Sequence, residues 1–63
     1  METGELVTWR EVEGFGFIRP DRGGVDVFVH RQVLGHAEVG ARVEFVVGMR
    51  DRGPYAIEAR MLA

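Results

Sequence analysis

Two short stretches hold the residues whose types and spacing could do chemistry: Gly14-Phe15-Gly16-Phe17-Ile18 and Val27-Phe28-Val29-His30. Successive side chains of a β-strand point to opposite faces, so Phe15 and Phe17 share one face, as do Phe28 and His30. If the two strands pair with those faces aligned, three phenyl rings and an imidazole form one patch. Such a patch is either half of a core or a platform on which flat ligands stack. The partners of the rings decide between these. Ile18, Val27 and Val29 alternate with the rings and claim the interior, while Arg19, Asp26 and His30 share the rings' face. A core face would not carry such charges unpaired. The expected chemistry is therefore stacking of unpaired bases on exposed rings.

The elements that must position this patch are short strands. Residues 5 to 11, rich in β-formers with partial alternation, predict a first strand, with Leu6 and Thr8 on one side and Glu5, Val7 and Trp9 on the other. Residues 14 to 19 and 25 to 30 predict a hairpin across the turn Pro20-Asp21-Arg22-Gly23-Gly24. Residues 31 to 40 read as a connection, with a single helical turn over Arg31 to Leu34. Arg42 to Val47 predicts a fourth strand, Gly48 to Pro54 a turn-rich loop, and Tyr55 to Met61 a fifth strand. An open sheet of such strands would expose an edge and an apolar face. Closure into a small all-β barrel removes both. The expected interior is Leu6, Ile18, Val27, Val29, Val43, Phe45, Val47, Ile57 and Ala59, with Leu34 and Met61 as plugs.

Composition bounds the partners. The chain has 63 residues, which suits a single domain, and no Cys, which excludes disulfides and thiolate metal sites. No apolar run approaches the roughly 20 residues of a membrane-spanning helix. The acidic start, Met1-Glu2-Thr3-Gly4-Glu5, is unlike a signal peptide. A monomer in the cytoplasm is the expectation. Net charge is −2, from eight Arg and no Lys against ten acidic residues. That balance argues against strong non-specific duplex binding. No Ser/His/Asp set, phosphate loop or paired-carboxylate constellation occurs, and His30 has no second ligand at metal spacing. No cofactor and no enzyme activity are expected.

Taken in order, the GFGFI stretch, the Gly-rich turn, Asp26-Val27-Phe28-Val29-His30 and Gly53-Pro54 before a last strand resemble the bacterial cold-shock domain over nearly the whole chain. The resemblance implies a five-stranded antiparallel OB-fold barrel that binds single-stranded RNA or DNA, with roles in RNA chaperoning or transcription antitermination. It carries base stacking onto Phe15, Phe17, Phe28 and His30. Several positions depart from the family pattern. Thr8, Trp9 and Arg10 stand where a Trp-Phe-Asn run is usual, so one ring is absent and Trp9 is expected to extend the platform. Val7 and Glu13 replace lysines, Glu58 replaces an Asn, and Arg31 replaces a Phe, leaving its guanidinium as a substitute stacking plane. The connection after His30 is shorter than usual and lacks an aromatic. Weaker or differently selective binding is the consequence.

The remaining candidates each carry a plain alternative. Arg10, Arg19, Arg50 and Arg52 could hold phosphates or be ordinary surface. Asp26 could read a base or pair with Arg19. Tyr55 could lie at the platform's rim or pack on the barrel end. A protein-interaction β-barrel, with the aromatic patch as its hot spot, is the alternative reading of the whole.

Overall fold

Like faces like across the central hairpin. In the computed structural model, which describes residues 1–62, β2 (Phe15–Pro20) and β3 (Val27–His30) pair antiparallel. Ile18 stands opposite Val27 and Gly16 opposite Val29, while Phe17 stands opposite Phe28 and Phe15 opposite His30. The aliphatic set therefore turns inward together and the rings turn outward together. Around this hairpin lie β1 (Glu2–Arg10), the single helical turn α1 (Arg31–Leu34), β4 (Arg42–Arg50) and β5 (Gly53–Met61). The strands close into a barrel in the order β1-β2-β3-β5-β4. This is the expected five-stranded OB-fold arrangement. One pair departs from the antiparallel pattern: β3 meets β5 in parallel, at Phe28 and Tyr55, because α1 and β4 carry the chain around the barrel between them.

The interior holds Leu6, Ile18, Val27, Val29, Val43 and Phe45, all fully buried, with Leu34 of α1 closing one end. Val47, Ala59 and Met61 pack against this cluster from half-buried positions. Ile57 does not belong to it. It is 48% exposed, and Ala56, at 2%, takes the inward place. The cause is a bulge. Val46 pairs with Glu58 and Val47 with Ala56, so Ile57 is an extra residue that shifts the alternation of β5. Strict period-two reading runs through such a residue without registering it.

A second bulge acts on β1. Leu6 pairs with Ile18 but Thr8 pairs with Phe17, leaving Val7 as the extra residue. Thr8 therefore turns to the outer face with Phe17 instead of following Leu6 inward. Trp9 pairs with Gly16 and packs half-buried against the core. The expectation that Trp9 lies beside Phe15 and Phe17 is thereby overturned, since it occupies the opposite face of the sheet.

The expected loop from Gly48 to Pro54 is mostly strand: β4 runs to Arg50 and β5 starts at Gly53, leaving Asp51 and Arg52 as the turn. Gly48 lies within β4 and makes no bend. The Ile57 side chain lies where a Cβ would stand, with its Cδ1 2.8 Å from that point.

Charged side chains tie the far end of the barrel. The Asp21 carboxylate accepts from both Nη atoms of Arg42, one at 2.9 Å, and from Thr3 Oγ1 at 2.6 Å. The turn after β2 is thus joined to β1 and β4. The Arg42 hydrogen bonds foremost, then that of Thr3, lower the Asp21 carboxyl from the usual 3.8 to about 2. A depressed carboxyl stabilises the fold above its unfolded value and loses that contribution as pH falls toward its folded value.

Two outcomes are expected. Acid titration of the folded protein should show stability falling between about pH 4 and pH 2, and Asp21→Asn should be less stable at pH 7 and lack that share of the fall. Gly16→Ala should destabilise by about 1–3 kcal/mol in urea unfolding, because an added Cβ collides with the Thr8 carbonyl and comes within 2.7 Å of Trp9 Cε3.

Candidate nucleic-acid interface

The phenylalanine rings brace one another before anything binds. Phe15 and Phe28 stack with centroids 5.6 Å apart and planes 26° from parallel. Phe17 stands edge-on to both, at 6.1 Å from Phe15 and 5.9 Å from Phe28. These are favourable aromatic geometries. All three rings are half-exposed. Their backbone is fixed by the β2–β3 ladder, so the cluster is a preformed surface and not a set of independent side chains.

His30 stands opposite Phe15 and also caps α1. Its Nδ1 accepts from the Gln32 backbone N–H at 3.1 Å. In the neutral ring this puts the proton on Nε2 and fixes the imidazole orientation. The ring thereby offers a plane and a defined donor at one end of the aromatic row.

Across the seam from Phe28 stands Tyr55. The bulge at Ile57 turns it outward, and the parallel seam sets it beside Phe28. Of the two places open to it, the structure selects the rim of the platform. Arg50 places its Cζ 4.0 Å from the Tyr55 ring centroid. Asp26, half-buried, and the turn residues Asp51 and Arg52 line the hollow above Phe15, Phe17, Phe28 and Tyr55.

The arginines divide into two groups. Arg10, Arg22, Arg42 and Arg60 bind Glu13, Glu2, Asp21 and Glu44 respectively. Among the described residues, Arg19, Arg31, Arg50 and Arg52 have no carboxylate partner within ion-pair distance. Arg10 stands opposite Phe15, on the platform's own face, but its Nη2 is 3.2 Å from Glu13 Oε2. That hydrogen bond is the largest cause of a lowered Glu13 carboxyl pKa. Arg19 is exposed on β2 and forms no ion pair with Asp26. The Arg31 side chain folds back across Gly14, with Nε 2.7 Å from where a Cβ would stand, so it lies at the edge beyond Phe15.

The structure thus brings Phe15, Phe17, Phe28, His30, Tyr55, Asp26 and Arg52 around one face, keeps Arg10 and Arg31 at its edge, and leaves Trp9 behind it. Arg50, a candidate phosphate contact, also joins that face, as do Thr8 and Asp51, which nothing in the chain had singled out. For Thr8 no signal exists in the strand itself, since the bulge that exposes it depends on β2. Among the described residues, no three His, Cys, Asp or Glu side chains converge as metal ligands would.

Comparison with known proteins agrees with this geometry. The family model for the 'Cold-shock' DNA-binding domain matches residues 2–61. Cold shock-like protein CspA of Bordetella pertussis is 36% identical over 67 residues, covering 98% of this chain and 100% of that protein. Probable cold shock protein A of Mycobacterium tuberculosis is 42% identical over 62 residues, covering 89% and 92%. The structure of drosophila Unr CSD456 matches with a TM-score of 0.80 at 26% identity, covering 98% of this chain and 26% of that one. Likeness over almost the full length, in sequence and in barrel topology, means that the chain belongs to the cold-shock domain family, whose members bind nucleic acids.

Proposed function

We propose that the protein binds single-stranded RNA or DNA by stacking unpaired bases on Phe15, Phe17, Phe28, His30 and Tyr55, and that it serves as an RNA chaperone or transcription antiterminator. The observation that carries this reading is the mutually braced, half-exposed trio of Phe15, Phe17 and Phe28 on a barrel whose core is complete without it. Stacking of this kind accepts any base, because every base has a π-face. Paired bases in a duplex present no such face. Binding only the open strand draws folded RNA toward its melted form by mass action, with no need for ATP.

Charge is the modest partner in this reading. Four arginines without carboxylate partners among the described residues, on a chain of net charge −2, favour a few phosphate contacts. Glu13 restrains a fifth, Arg10. A second reading, a barrel that binds a protein through its aromatic face, draws support from that restraint and from Thr8, which brings no ring to the place opposite Phe17.

Phe17→Ala should weaken binding to an oligo-pyrimidine strand by about 1–3 kcal/mol in a fluorescence titration. Equal affinity of variant and parent would sink the stacking reading, and absence of binding by the parent at high micromolar strand would favour the protein partner. Salt titration should give a log–log slope of about −2, from three phosphates at roughly 0.7 each. Glu13→Gln, which frees Arg10, should tighten binding and steepen that slope by about 0.7.

A further inference from the structure

We propose that Arg50 and Tyr55 form a clamp for one additional nucleobase, the phenol ring taking one face of the base and the guanidinium the other. This rests on the single-strand reading above and deepens it. Arg50 is exposed, at the end of β4, and Tyr55 is near the start of β5. Gly48 pairs with Tyr55 and Gly53 with Arg50, so the hairpin brings the two side chains together. The guanidinium carbon sits 4.0 Å from the ring centroid, a stacking distance.

Three features set this pair apart from an ordinary surface contact. First, Tyr55 continues the aromatic row, because it is the cross-seam partner of Phe28. A base on Tyr55 would be the next in line after one on Phe28. Second, Arg50 stands as a partition. It lines both the hollow above Phe15 and Phe17 and the adjoining hollow above His30 and Ile57. Third, among the described residues no carboxylate holds it. Lifting the guanidinium by about one stacking distance, roughly 3.4 Å, therefore breaks no ion pair. Its contact with the phenol ring is replaced by two contacts, ring to base and base to guanidinium. Asp26 and Asp51 line the same hollow as Arg50 and make it a poor place for a phosphate. The guanidinium there acts as a plane more than as a charge.

Lysine keeps the charge of arginine and loses its plane, which gives the deciding experiment. Binding of the full chain to a single-stranded oligo-pyrimidine would be measured for the parent, Arg50→Lys, Arg50→Ala and Tyr55→Ala over a series of salt concentrations. The clamp predicts that Arg50→Lys weakens binding about as much as Arg50→Ala, on the order of tenfold, with the salt slope of Arg50→Lys unchanged. Tyr55→Ala should show a similar loss, and the Arg50→Ala, Tyr55→Ala double variant little more than either alone. If Arg50→Lys binds like the parent while Arg50→Ala lowers the slope by about 0.7, Arg50 is a phosphate contact and the clamp is overturned. Unchanged binding by all three variants also overturns it, while a loss on Phe17→Ala in the same assay leaves the wider stacking reading standing. A parent protein that binds no strand overturns both.

Discussion

A barrel of five short strands has room inside for few large side chains, and Leu6, Ile18, Val27, Val29, Val43 and Phe45 take most of it. Close packing leaves no space for three more rings, and overfilling such an interior is itself destabilising. Phe15, Phe17 and Phe28 are outside because the residues that alternate with them along β2 and β3, Ile18, Val27 and Val29 among them, are inside. Once outside, they lean on one another, and the β2–β3 register holds them in that arrangement. The aromatic surface is thus a by-product of how the core is filled. A change to Val27 or Val29 would be felt at the rings on the same strand.

The parts of this arrangement that a strand carries within itself were legible in the chain. The β2–β3 hairpin, its register, the single turn of α1 and most of the core follow from alternation between Gly-rich breaks. What alternation could not reach was the pair of bulges at Val7 and Ile57. Each depends on how one strand meets its neighbour, and nothing in Leu6-Val7-Thr8 or Ala56-Ile57-Glu58 announces an unpaired residue. The consequences are specific. Trp9 went inward instead of outward, Ala56 replaced Ile57 in the core, and Tyr55, left open between the rim and the barrel end, turned to the rim. Gly48 misled for a related reason: its lack of a side chain makes room for Ile57, whereas in the chain it resembled a turn signal.

Ion pairing further edits what charge can do. Counting residues gives eight arginines against ten acids, but the count says nothing about which of them are already engaged. Asp21 takes Arg42 to tie the barrel's far end, and Glu13 takes Arg10 at the edge of the aromatic face. The same residue type therefore serves as a structural tie in one place and as an available cation in another. Of the four that no carboxylate engages among the described residues, Arg50 and Arg52 lie on the short β4–β5 hairpin beside the rings.

The seam between β3 and β5 is the narrowest join in the barrel, a single registered pair, Phe28 and Tyr55. Both residues also belong to the outer aromatic row. A strand lying along that row would bridge the join from outside, as a suture closes a cut. The barrel is closed without such a strand, and anything that binds only the closed form would add to its stability by mass action. Amide protons flanking the join would report the bound state by slower exchange, even though none of them touches a base.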